Sequence, residues 1–598
     1  MNKEALGSNT FRFNICKGES VMNDAQLTFW RCSSDNEAGP THPARSVRAR
    51  TAGLLGALAC SVALLASPGT ALAASGPDEG CAKGSEKASF GDRLVSTYKD
   101  YLKWDGDPAD TPPNWRKDVP PPPTSTPPYP FTNWPMGGTP YIGYENMFYG
   151  AFMDAVYCGP DGKSWKDSRL TFYGWIEPGM NISTSKTKYQ YGPNGNFTPK
   201  GSNQAYAIGG GTGGNFPAAY SYQPNTAQLD QFALYLERTP DMVQKDHNDW
   251  GFRMTYLYGT DYKYTFSNGI GNSQYTTHGS RYGSDLVMAY LDYYVPSVAE
   301  GMNVRVGRYI SIPDIEAQLA PNNYTYSHSL LYSYDPYTKE GIVATVKLNK
   351  NWSLQGEVSI GNDVSFWNRS KGPNGEKLGA QFTPAGCVQW MSDSGKDTIY
   401  PCINGDSKIL GNKGNFGWNN LQHDAITWYH KFNDKWHMSN EFWYMYQKNT
   451  PNVNNPNGVA MLAADFPAPQ FTFGAPFGAQ CNDPTQTTCT SHEYAFVNYF
   501  LYQWGPRDNL VIRNEIFNDS TGQRTGFKTR YFESLIGWNH WIGKAITIRP
   551  ELRYERASGD VNPYDNPCGP NTLANSNCPG TAGKKSQFMF AMDAIFHF

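Results

Sequence analysis

Charge is scarce in this sequence, and long apolar runs are scarcer. Charged residues make up 17% of the 598 positions, below the roughly one quarter usual in soluble domains. A net charge of −3 leaves no basic footprint for nucleic acid. Past the leader no apolar run is long enough for a membrane helix, which excludes helical spanning. The cysteines lack the CxxC spacing of a zinc site, so no metal is expected. No HExxH occurs, and no GxSxG elbow sits in a strand–turn–helix context. His423 and Asp424 are hydrolase candidates by position only, and His540 reads as an interfacial ring near a strand end. Neither enzyme activity nor a cofactor is expected.

Aromatics are abundant instead, at 15%, with 39 Tyr and 17 Trp. They accompany Gly, Asn and Thr rather than the Leu, Ile and Val of a soluble core. Aromatic girdles, a polar lumen and long loops would produce such a composition.

The leader has three parts. Arg45, Arg48 and Arg50 precede an apolar run from Ala52 to Ala66, followed by Ser67-Pro68-Gly69 and Ala71-Leu72-Ala73. This is the layout of a secretory signal cleaved after Ala73, so residues 1–73 are an N-terminal extension plus signal peptide. Met22 is an alternative start, and Cys60 lies behind an imperfect lipid-attachment box, Ala57-Leu58-Ala59.

Eight cysteines follow: Cys81, Cys158, Cys387, Cys402, Cys481, Cys489, Cys568 and Cys578. An even number in an exported chain implies disulfides of undetermined connectivity. Three neighbouring couples, 387 with 402, 481 with 489 and 568 with 578, each lie within one polar stretch expected to be a loop.

Residues 74–167 are expected to be a periplasmic segment. Phe90, Leu94, Tyr98, Tyr101 and Leu102 recur at helical spacing, predicting a helix over 89–104. Eleven prolines between Pro112 and Pro140 then make an extended spacer.

From Ser168 a two-residue period takes over, and 168–598 reads as an all-β, antiparallel transmembrane barrel. Fourteen strands are predicted: one from Ser168 through Ile182, then 226–239, 249–266, 284–296, 302–311, 341–349, 351–363, 421–432, 435–448, 491–505, 507–519, 528–542, 544–558 and 585–598. The last alternates Phe588, Phe590, Met592, Ala594, Phe596 and Phe598 with Met589, Ala591, Asp593, Ile595 and His597. Alternate links are short, as at 349–351, 433–435, 505–506 and 543–544. The intervening ones are mostly long (185–225, 267–283, 312–340, 364–420, 449–490 and 559–584), though 520–527 is short. Outer-membrane barrels segregate tight periplasmic turns from long outer loops in this way.

Several dispersed stretches resemble the OmpL-like putative β-barrel porin family of Gram-negative outer membranes. They are 249–264 (DWGFRMTYLYGTDYKY), 293–309 (YYVPSVAEGMNVRVGRY), 320–327 (APNNYTYS), Arg513-Asn514-Glu515, 519–522 (DSTG) and 549–554 (RPELRY). The resemblance implies an outer-membrane barrel that passes solutes. It supplies no substrate and no catalytic residues, and the Pro-rich segment and longest loops depart from it.

Parity places Arg253, Asp261, Arg305, Lys347, Glu357, Lys431, Glu441, Arg513, Glu515, Glu533, Arg549, Glu551, Arg553, Glu555 and Asp593 in the lumen, acids slightly outnumbering bases. A basic residue turned to lipid there would cost roughly 2–4 kcal/mol. Such groups either set a weak ion preference or brace the wall by pairing across it. Arg308 falls on the outward parity, so it is expected near a strand end or at a bulge. Asp314, Glu316 and Asp335 lie in the 312–340 loop, which folded inward would form an acidic constriction facing Arg253, Arg305, Arg549 and Arg553.

The function expected is a passive channel for small polar solutes or ions in the outer membrane. Outer-membrane lipid, the solutes and the barrel-assembly machinery, acting on the strand that ends at Phe598, are its expected partners, with a homotrimer as in many porins. Two rivals are a transporter of hydrophobic compounds with an N-terminal hatch and an adhesion barrel acting through disulfide-stapled loops.

Overall fold

The computed structural model describes residues 81, 85–105, 114–121, 142–145, 150–191, 197–199, 214–276, 278, 280–310, 314–369, 371, 377–405, 420–465, 478–566 and 582–598. Sixteen antiparallel strands close into one barrel. The first eight are β1 (Leu170–Ser183), β2 (Thr226–Arg238), β3 (Asp249–Gly259), β4 (Gly283–Val295), β5 (Met302–Ile310), β6 (Thr338–Lys347), β7 (Trp352–Ser359) and β8 (Thr383–Met391). The second eight are β9 (Asp397–Asn404), β10 (Leu421–Lys431), β11 (Trp436–Pro451), β12 (Thr488–Gly505), β13 (Asp508–Asp519), β14 (Thr529–Ile542), β15 (Ile546–Ala557) and β16 (Ser586–His597). Each pairs with its sequence neighbours, and β16 returns to β1 in a register that sets Trp175 against His597 and Gly179 against Asp593.

The expected strand number was therefore two short. β8 and β9 occupy what was read as the middle of the 364–420 loop. Pro384, Gly386 and Pro401 weaken their β signal, and the cysteines suggested a stapled loop. Cys387 and Cys402 instead face each other across the β8–β9 ladder with Cα atoms 4.1 Å apart, forming a disulfide in the barrel wall. Because the two strands enter as a hairpin, the segregation of short and long links survives. Cys481–Cys489 staples the connection into β12, and Cys81 bonds Cys158. Cys568 and Cys578 lie outside the described residues.

Alternation holds where it was clearest. On β15 Thr547, Arg549, Glu551, Arg553 and Glu555 are buried, while the residues between them are less buried and Leu552 is 55% exposed. Outward Leu, Ile, Val and Phe make the lipid face. Trp250, Trp352, Trp390, Trp428, Trp436, Trp504 and Trp538 stand on the outward parity near the tight-turn end, which is the periplasmic end of such barrels.

Before the barrel come α1 (Phe90–Lys103), α2 (Ala151–Tyr157) and α3 (Gly162–Ser168). Ser89 caps α1 by accepting the Asp92 N–H at 3.2 Å. The α1 end docks on the β14–β15 turn, where Lys544 N–H donates to the Tyr101 carbonyl at 2.9 Å. Gly543 permits this, since its φ is +59° and a Cβ there would lie 1.8 Å from the Tyr101 oxygen. Farther on, Arg507 donates to the Trp104 carbonyl, Arg116 to the Glu300 carbonyl, and the Gly143 N–H to the Met242 carbonyl. These partners lie at the tight-turn rim, which the described leading residues follow, and there Ile142 packs on inward-facing Tyr294 and Tyr144 on inward-facing Met391.

Candidate functional site

The lumen is crossed by the connection between β5 and β6, whose described residues are 314–337. Its inward course begins at Gly307, where φ is +139° and the burial pattern of β5 slips out of step. Arg308, on the outward parity by simple counting, is thereby turned inward, where its guanidinium bonds Asp285 at 2.8 Å and the Thr265 carbonyl at 2.7 Å. Every residue from Asp314 to Tyr337 is buried.

Wall and loop hold each other by matched backbone and side-chain groups. Carboxylates of the wall accept loop N–H groups: Glu441 from Ile315 at 2.8 Å, Glu515 from Leu330 at 2.8 Å and from Leu331, and Glu551 from Ser327 at 3.2 Å. Leu330–Ser333 forms one helical turn whose leading N–H groups are those that Glu515 takes. Guanidiniums of the wall donate to loop carbonyls. Arg513 reaches Ser327 at 2.5 Å, Arg549 reaches Ala320 at 2.8 Å and Asn323 at 2.9 Å, and Arg553 reaches His328 at 3.2 Å.

The same side chains also brace the wall. Arg513 pairs with Glu533 at 2.6 Å, and Arg553 with Glu533 at 2.5 Å and Glu555 at 2.6 Å. Arg549 pairs with Asp593 and, at 3.4 Å, with Glu177. Arg253 pairs with Glu237 at 2.5 Å and Arg305 with Asp292 at 2.9 Å. Glu357 lies 3.8 Å from Lys339. Glu237 had a readable signal, since it shares the inward parity of β2. Asp292 did not, because the alternation of β4 changes phase at Val287 and Met288, both buried, where the register to β3 slips.

The acidic loop residues separate into two environments. Glu316 lies 4.0 Å from Arg513 and 3.1 Å from His328, and it accepts the Ser329 N–H and the Tyr499 hydroxyl. Asp314 and Asp335 do not meet the arginines. Both oxygens of each, with Oε1 of Glu441, have no hydrogen-bond donor among the described residues. A small cavity beside the loop is lined by Glu177, Tyr220, Asp230, Asp261, Ala320, Asn323, Tyr326, His328 and Arg549. His423 is buried and points inward while Asp424 on the same strand is half-buried, so the two stand on opposite faces of β10.

Within the described barrel, twenty carboxylate residues are buried against ten Arg and Lys. Sequence parity found only a slight acidic majority. It could not include the residues that the loop across the lumen carries inward, such as Asp314, Glu316 and Asp335.

No curated protein matches the chain. Among solved structures, similar folds include an anion-selective porin from Comamonas acidovorans, 8% identical, covering 72% of this chain and 99% of that one, with a TM-score of 0.40. The outer-membrane channel DcaP of Acinetobacter baumannii is 11% identical, with 72% and 97% covered and a TM-score of 0.40. OmpT of Vibrio cholerae is 7% identical, with 72% and 97% covered and a TM-score of 0.36. The family described as putative beta-barrel porin-2, OmpL-like, matches residues 170–598, from the first residue of β1 to the last of the chain. The chain belongs to this family of β-barrel porins.

Proposed function

We propose that the protein is a channel of the Gram-negative outer membrane that passes small polar solutes and ions and prefers cations. The observation that carries this is the twofold excess of buried carboxylates over buried Arg and Lys in the barrel. Carboxylates lining a narrow aqueous path concentrate cations and repel anions. The loop across the lumen narrows that path, and its anchoring by many hydrogen bonds makes the constriction a fixed element. A path for hydrophobic compounds would need an apolar lumen, and the wall offers Arg513, Arg549, Arg553 and their carboxylate partners instead. Adhesion through disulfide-stapled loops loses one of its supports, because Cys387–Cys402 lies in the wall.

The test is reversal potential in planar bilayers under a KCl gradient, using the refolded mature chain. Potassium should carry more current than chloride. Chloride preference, or a silent membrane at every voltage, would overturn the proposal.

A further inference from the structure

The tryptophan girdle at the tight-turn end has a gap. Outward Trp residues stand on β3, β7, β8, β10, β11, β12 and β14. Four consecutive strands around the seam, β15, β16, β1 and β2, carry no outward Trp or Tyr at that end. They present Ile546, Ile548, Phe596, Phe172 and Leu236 there instead.

The three leading helices sit against this sector. Phe152 of α2 meets outward-facing Phe172 of β1 edge to face at 5.2 Å, and Phe90 of α1 meets Phe152 at 5.2 Å. Leu94 and Tyr98 of α1 share a cluster with Ala545 and Ile546 at the start of β15. An unbroken apolar surface therefore runs from the lipid face of the barrel onto the helices. It continues beyond them, for Val95 is 54% exposed, Leu102 37% and Trp165 of α3 40%. Val95 and Leu102 are seven positions apart and so lie on the same side of α1.

We propose that α1–α3 lie in the headgroup layer of the periplasmic leaflet, with Val95, Leu102 and Trp165 in contact with phospholipid. The helices would thereby cover the longest run of strands without an outward Trp or Tyr at that end. Phospholipid is the occupant that continuity with the barrel's lipid face selects. Tryptophan favours that depth because its ring is apolar and its N–H is polar. An amphipathic helix lying in the membrane plane buries its apolar side a few ångströms into the acyl boundary.

The experiment places p-benzoylphenylalanine singly at Val95, Leu102 and Trp165 of the full mature chain, refolded into phosphatidylethanolamine–phosphatidylglycerol vesicles. Leu552, on the lipid face, is the positive control and exposed Glu86 the solvent control. Unboiled gel mobility confirms that each variant folds. After irradiation, lipid adducts at the three helix positions should approach those at Leu552 and exceed those at Glu86 at least fivefold. Adducts at the Glu86 level, or crosslinks to a second copy of the chain in place of lipid, would overturn the proposal. Absence of adducts at Leu552 would instead count against the membrane-spanning barrel itself.

Discussion

Arg513 joins the wall to the inserted loop: one guanidinium donates to Glu533 at 2.6 Å and to the Ser327 carbonyl at 2.5 Å, with no exposed surface. Truncating one member of a buried ion pair costs about 3–5 kcal/mol when the other charge is left unpaired, and less here, because Glu533 keeps Arg553 at 2.5 Å. Arg513→Met should lower the denaturation temperature of the barrel in detergent, read by unboiled gel mobility. Combining it with Glu533→Leu should lower stability further, because buried Arg553 then also loses a partner. The loop should stay loosened in the double variant, which would be seen as noisier and larger single-channel currents.

Asp314, Asp335 and Glu441 bring carboxylate oxygens without donors to one part of the lumen. Replacing them together as Asp314→Asn, Asp335→Asn and Glu441→Gln keeps their shapes and removes the negative charge of the cluster. Cation preference should fall toward unity, measured as a smaller reversal potential under the same KCl gradient. An unchanged potential would place the path of the ions elsewhere.

The Cys387–Cys402 bond closes a short loop, with the two residues 15 positions apart. Such closure stabilises by about 3 kcal/mol when the chain is otherwise free. Here β8 and β9 are already paired on both sides, so Cys387→Ser with Cys402→Ser should cost less, about 1–2 kcal/mol in denaturant unfolding. Conductance should be unaffected.

Asp154 on α2 gives the helical rim a pH dependence. Burial pushes its carboxyl above the ordinary carboxylate range, against the Tyr101 hydroxyl, which donates to it at 2.5 Å. The docked state thus holds a proton that the undocked state has released. Docking is strongest below the ordinary carboxylate value and weakens as pH rises toward the raised one. Hydrogen exchange in α1, corrected for intrinsic rates, should show this trend, and Asp154→Asn should flatten it.

Much of the barrel could be read from residue parity because lipid and lumen impose opposite demands on neighbours. β15 and β16 show this: Arg549, Arg553 and Asp593 could be assigned inward from spacing alone. What stayed hidden has physical causes. In β8 and β9, two prolines and a glycine dilute a signal only 8–9 residues long. At Gly307 a single backbone angle ends the alternation of β5, and Arg308, Tyr309 and Ile310 after it are all buried. The inserted loop was suspected from its acids, yet Asp314 and Asp335 meet Glu441 rather than arginine. A loop carries no period, so the direction of each side chain depends on which wall residue captures which backbone group.

At the seam, Gly174 and Phe598 exchange backbone hydrogen bonds at 3.0 and 3.1 Å, and contacts along it join residues 404 positions apart. The clasp of this bracelet is β16, the strand farthest from β1 along the chain. Until it arrives, β1 and the newest strand are both raw edges that can take up any extended partner. A barrel lacking β16 would be an open ribbon rather than a slightly smaller pore. The cylinder can seal only when all sixteen strands are in place, so closure itself reports that none is missing.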